Sequence, residues 1–206
     1  MSPSIIVQAL LVAGVALAVW GCKTSRSGYE SAPYSVILSD GDCELRDYPE
    51  LAIVRTGMPD SGGDGSNAGF GKLFRYISGN NKTRESIAMT TPVFISQEPR
   101  TMAFVLPAKS SFEDAPAPLD SSLRLEKIPA GRFAVLRFGG TRSATKESEA
   151  LALLKNWLAE KGLASAESPV FGYFDPPWTP SFLRRNEVML RITPKPATDR
   201  QMQAVE

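Results

Sequence analysis

The sequence predicts an α+β fold in which one β-β-α-β-β unit occurs twice and builds a curved antiparallel sheet with two helices packed on one face. Three observations predict it. Strand-like runs separated by turn residues open each half of the chain. A helical pattern and then two more strand-like runs follow in each half. The stretch Pro116-Ala117-Pro118 joins the halves.

In the first half, Tyr34–Leu38 and Cys43–Arg46 flank Asp40-Gly41, and Asp-Gly between two strand-like runs is a hairpin signal. Leu51–Thr56 continues as strand, and a Gly/Ser/Asp-rich loop covers Asp60–Gly69. Phe70, Leu73, Phe74 and Ile77 then recur at helical spacing until Gly79-Asn80-Asn81 stops the helix. Strands are expected at Ile87–Ile95 and Met102–Leu106.

The second half repeats the order. Leu123–Ile128 and Arg132–Phe138 are strands around Pro129-Ala130-Gly131, and Gly139-Gly140 ends the second. A helix is expected over Ser143–Lys161, with Leu151, Leu154, Trp157 and Leu158 on one face and Gly162 as its stop. Val170–Phe174 and Glu187–Ile192 supply the last strands. Placed about a pseudo-two-fold, the units give a curved sheet with both helices on one face. The groove where the halves meet is then a natural small-molecule site.

The 206 residues suit one domain plus a targeting segment. A net charge of +1 argues against nucleic acid as main partner, because phosphate binding needs a basic field. The 0 His exclude histidine-based triads and histidine zinc sites, leaving Lys, Asp, Glu or Tyr for acid–base work. Ser61–Ser66 has phosphate-loop composition without the Gly-Lys-Ser/Thr ending and reads as a linker.

Ile5–Trp20 is almost continuously apolar and ends in Val19-Trp20-Gly21-Cys22. It is the length of a signal-peptide core and short for a spanning helix, which needs roughly 20 residues. The ending resembles a bacterial lipobox, with Cys22 as the lipidated residue. Trp20 and the uncharged Met1–Ser4 depart from that pattern. Lys23 after the cysteine points to an outer-membrane lipoprotein facing the periplasm. Plain secretion to the periplasm and an uncleaved membrane anchor are the alternatives. The expected organisation is a signal peptide over 1–21, a lipidated tether over 22–33, a folded domain over 34–193 and a flexible tail over 194–206. Lipidation of Cys22 leaves Cys43 without an intramolecular partner, which a buried thiol tolerates.

Three ordered stretches carry a family resemblance. They are Tyr76–Asn81 followed by Ile87–Val93, then Phe104–Pro107 with Pro116–Pro118 downstream, and finally Tyr173–Pro177 with Arg184–Val188. Together they resemble the SOUL/haem-binding-protein family across about Tyr34 to Ile192. The resemblance implies a distorted antiparallel barrel with two helices, an architecture similar to gyrase-inhibitor-like multidrug-binding domains. It also implies haem or another tetrapyrrole as ligand, and binding rather than a shared catalytic reaction.

Carried over by position, the implied cleft involves Phe70, Phe74, Arg75 and Met89. The rings could stack on a flat macrocycle, and Arg75 could meet a propionate. Phenylalanine cannot ligate iron, so with no histidine an axial ligand would have to be Met58, Met89, Cys43 or a tyrosine. The simpler reading makes Phe70, Leu73, Phe74, Ile77 and Met89 core. Asp175, Arg185 and Glu187 read as a structural hydrogen-bond network ahead of a catalytic set. No catalytic residue and no metal site is assigned. The sequence thus supports a lipid-anchored binder or carrier for a small planar hydrophobic ligand. A multidrug-type module without a haem role, and a hydrolase-like enzyme using the Glu187 or Asp175 carboxylate, remain as alternatives.

Overall fold

The computed structural model describes residues 28–59, 66–166 and 168–193. The signal segment with Cys22, the loop residues 60–65 and the tail 194–206 lie outside the described residues.

The first half contains β1 (Glu30–Ser31), β2 (Ser35–Asp40), β3 (Cys43–Tyr48), β4 (Leu51–Gly57), α1 (Ser66–Ile77), β5 (Thr90–Thr91), β6 (Val93–Gln97) and β7 (Arg100–Val105). The second contains β8 (Leu123–Ile128), β9 (Gly131–Gly139), α2 (Ala144–Glu160), β10 (Ala164–Ser165), β11 (Val170–Tyr173) and β12 (Arg185–Thr193). The turn chemistry is as expected. Gly41 supplies the left-handed residue of the β2–β3 hairpin and Gly162 the one that ends α2, at φ 59° and 65°. Ser143 caps α2 by accepting from the Lys146 amide.

One antiparallel sheet runs β2-β3-β9-β12-β11-β6-β7-β4-β8, with β10 paired to β12. Apart from β2 and β10, which have no counterpart in the other half, its pairing scheme is unchanged when the halves are exchanged. The β3·β9 pair, with Cys43 opposite Leu136 and Tyr48 opposite Gly131, answers to β8·β4, with Leu123 opposite Thr56 and Ile128 opposite Leu51. The pairs β4·β7 and β9·β12 correspond, as do β6·β7 and β11·β12. The pseudo-dyad passes through β6·β11, where Ile95 faces Phe171. The repeat read from the sequence is the repeat of the fold.

Strand alternation sends side chains to two faces, and away from the edge strands β2 and β8 both faces carry buried side chains. One face lies under the helices. Val54, Met102 and Phe104 pack with Leu73, Tyr76 and Ile77 of α1, while Leu136, Val188 and Leu190 pack with Leu154, Trp157 and Leu158 of α2. The inner face carries Ile53, Phe94, Ala103, Phe133, Val135 and Met189. Ala32 joins this inner cluster and Tyr34 packs against it. Ala32 and Tyr34 thus cover part of the inner face, where strands of both halves meet.

Two boundaries differ from the sequence reading. Ile87–Met89 is not strand, because the loop leaving α1 folds back on it. The Ile87 amide donates to the Ile77 carbonyl, and Asn81 bonds Tyr76 and Glu85. The sheet system also begins inside the stretch assigned to the tether. Glu30 and Ser31 pair in parallel with Thr90 and Thr91, and Ala32 is buried.

Candidate functional site: an aromatic flank on α1 and a buried polar cluster

Helix α1 approaches the sheet closely because Gly69 sits on it. A Cβ there would lie 3.3 Å from Met58 Cγ and 3.6 Å from Thr56 Cγ2. The close seat turns Leu73, Tyr76 and Ile77 inward and leaves Phe70 and Phe74 on one flank, 38% and 48% exposed. Their rings stack with centroids 5.9 Å apart and planes 13° from parallel. Phe70 also meets the buried Phe104 edge-on at 5.2 Å. The pair is thus held from beneath and open from above. Of the helical stripe read as core, half is core and half is this flank.

Met89 packs half-buried against the same core cluster. Arg75 is exposed and lies about 100° around the helix from Phe74. Its guanidinium reaches back along α1 towards Gly71, and its charge bears on Asp120. The structure brings Phe70 and Phe74 together, sets Met89 into the underlying cluster and leaves Arg75 off the aromatic flank. Cys22 lies outside the described residues.

The flank suits the apolar face of a planar macrocycle, since covering what remains exposed of the two rings is worth roughly 1.5–3 kcal/mol. Three of the candidate iron ligands are buried away from the flank or engaged. Cys43 is buried in the α2 cluster, Met58 is buried under α1, and the Tyr76 hydroxyl donates to the Pro116 carbonyl at 2.8 Å. Burial pushes the Tyr76 phenol up to about 12. Among the described residues no group of three or more Cys, Asp or Glu could hold a metal ion.

The second cluster lies on the inner face at β3 and β12, and sequence reading had reached only its edge. Arg46, fully buried, donates to both Glu187 carboxylate oxygens at 2.8 and 3.0 Å and to Glu44 at 2.6 Å. Arg185 bonds Glu187 at 2.9 Å through Nε and the Tyr34 hydroxyl at 3.4 Å, and Arg137 pairs with Glu44. The Tyr34 ring lies 4.2 Å from the Arg46 guanidinium carbon. Burial works against the charge on Arg46, but the hydrogen bond and charge of Glu187 outweigh it and hold the guanidinium above its usual pKa. The Asp175 carboxylate accepts from the Arg185 amide at 2.6 Å. The expected network among Asp175, Arg185 and Glu187 is present. A carboxylate held by two guanidinium groups is poorly placed to take a proton from a substrate, which counts against Glu187 as a base. A signal for Arg46 was available: Glu44, Arg46 and Tyr48 alternate along β3 on a single face.

The resemblance motifs fall on structural contacts. Asn81 is fully buried and ties the loop after α1, Thr90 donates to the Val105 carbonyl at 2.6 Å, and Pro92 packs over Gly172.

Known proteins agree with this architecture. The chain is 32% identical over 171 residues to human heme-binding protein 2, covering 77% of this chain and 82% of that protein. It is 26% identical to bovine heme-binding protein 1, covering 71% and 74%. Among solved structures, the EcmrR C-terminal domain superposes with a TM-score of 0.54 at 16% identity, covering 73% of this chain and 96% of that one. A hydrolase from Listeria innocua gives 0.53 at 13%, covering 76% and 94%. At these identities the two structures show the shared fold alone. The SOUL heme-binding protein profile matches residues 29–191, nearly the whole described chain, and the protein belongs to that family.

Proposed function

We propose that this protein is a non-enzymatic binder or carrier of haem or a related tetrapyrrole, held at a membrane by lipid on Cys22 and facing the periplasm. Membership of a heme-binding family, and relatives named for heme binding, support the ligand class. The observation that carries the site is the half-exposed, parallel Phe70–Phe74 pair braced by Phe104. The macrocycle would supply a rigid apolar plane, and Phe70 and Phe74 would stack on it. Met89 would border the ring, as the half-buried member of the notional ligand set. Binding is by apolar contact, with no histidine ligation. The lipobox-like Val19–Cys22 supports the anchor.

The test is parallel titration of haem and iron-free protoporphyrin into the wild-type protein and a Phe70→Ala/Phe74→Ala variant. Protoporphyrin should bind within about tenfold of haem, and the variant should lose at least about tenfold for both. Unchanged affinity in a folded variant removes the flank from the site. A strong preference for the iron form with a low-spin spectrum identifies a ligating side chain, Met89 first. Binding of unrelated aromatic cations in place of tetrapyrroles would favour a multidrug-type module.

A further inference from the structure

We propose that the β11–β12 loop, Pro176–Leu183, is a lipid-surface docking element that lays Trp178 and Phe182 into the interface of the membrane to which the chain is tethered. The proposal rests on the membrane-tethered reading above. Trp178 and Phe182 are 79% and 82% exposed, the most exposed of the large apolar side chains among the described residues, and Leu183 beside them is half-exposed. Tryptophan and phenylalanine at a protein surface are well suited to the headgroup boundary of a bilayer.

The loop is tied by its own hydrogen bonds, which hold the two rings outward. The Thr179 amide donates to the Pro176 carbonyl at 3.0 Å and the Leu183 amide to the Pro180 carbonyl at 2.9 Å. The Arg184 guanidinium donates to the Thr179 carbonyl at 2.8 Å and also to the Pro177 carbonyl. Three prolines fix further backbone angles. Presenting the rings therefore costs little ordering entropy on contact. From Pro176 to Arg184 the loop has no acidic residue and ends on the cation Arg184, which suits an anionic surface.

The course of the N-terminal chain selects a membrane over other occupants. The loop leaves the sheet where Tyr173 faces Asn186 and Val93. Tyr34 is at its base, bonded to Arg185. Gly28 is six residues upstream, so it can be no further than roughly 20 Å from Tyr34. Only residues 23–27 then separate it from Cys22, where the lipid is attached. A membrane held by that lipid is within reach of the loop.

The test uses the mature chain lipidated on Cys22, in which Trp157 and Trp178 are the two tryptophans, reconstituted into vesicles of phosphatidylcholine and phosphatidylglycerol with and without brominated acyl chains. Trp157 is buried and bonded to Asp40, so it serves as the unquenched reference. Bromine should quench Trp178, the quenching should vanish in Trp178→Phe, and Phe182→Ser should weaken it. Vesicle-bound chain with unquenched Trp178 overturns the docking and leaves the tether standing. Chain that does not stay on vesicles overturns both. Shielding of Trp178 from aqueous iodide that rises with protein concentration and not with lipid overturns the membrane reading in favour of a second copy.

Discussion

Arg46 on β3 and Glu187 on β12 form a two-pronged ion pair in which neither side chain retains any exposed surface. The two strands are not neighbours in the sheet, since β9 runs between them. The pair therefore spans a strand and fixes the curl of the inner face.

Removing one partner leaves the other charged and buried. Glu187→Ala should destabilise the domain by roughly 3–5 kcal/mol in urea unfolding. Arg46→Met/Glu187→Leu should cost less than the sum of the two single changes. Strict additivity in that double-mutant cycle would show that the two groups do not act as a pair.

Phe74 and Leu73 are sequence neighbours with opposite roles. Leu73→Ala empties a fully buried position and should cost about 2–5 kcal/mol. Phe74→Ala, on a half-exposed ring, should cost well under the 3–5 kcal/mol typical of a buried phenylalanine while weakening tetrapyrrole binding. Melting temperature and ligand affinity measured on both variants check this. An equal loss of stability in the two would return Phe74 to the core.

Three tyrosines set an alkaline limit. Burial, with smaller contributions from neighbours, raises the phenols of Tyr48, Tyr76 and Tyr173 above their ordinary value of 10.0. A raised folded-state value favours folding fully below pH 10, and that contribution is lost as pH climbs through the folded-state values. Unfolding free energy should therefore fall steadily above about pH 10. Tyr76→Phe, which also loses the bond to Pro116, should flatten part of that slope. A slope identical to wild type would place the loss elsewhere.

Cys22 is expected to incorporate radiolabelled palmitate in cells, and Cys22→Ala to incorporate none. Equal labelling would refute lipidation at this position. Unlabelled protein released to the periplasm would indicate ordinary secretion. Cys43 does not confuse the result, because it is buried and its thiol is held above the usual range by desolvation.

The backbone plan was legible in the sequence because local chemistry writes it. Asp40-Gly41, Gly162 and the period of Leu154, Trp157 and Leu158 each act over a few residues. The repeat was legible because both halves use the same order of signals. Side-chain partners were less so. Helical spacing put Phe70 and Phe74 in one stripe with Leu73 and Ile77. It could not say how close Gly69 lets α1 come to the sheet, and that distance decides which rings stay open. The Arg46–Glu187 pair joins residues 141 positions apart, so no local pattern contains it. The docking of Glu30–Ala32 was hidden similarly, since a short polar stretch reads as a tether until its partner Thr90–Thr91 is in place.

The exchange-invariant pairing has a consequence for how such a chain could arise. The first strand of each unit, β3 or β8, bonds to the second strand of the other, β9 or β4. A single ancestral unit would leave those edges bare in isolation and would complete them only by meeting another copy. Fusing two copies through the Pro116–Pro118 join turns that concentration-dependent encounter into a closure within one molecule, at effective concentrations in the millimolar range for short linkers. Fusion also frees the copies to diverge. One helix could then keep an open aromatic flank, as α1 does, while α2 took on packing alone.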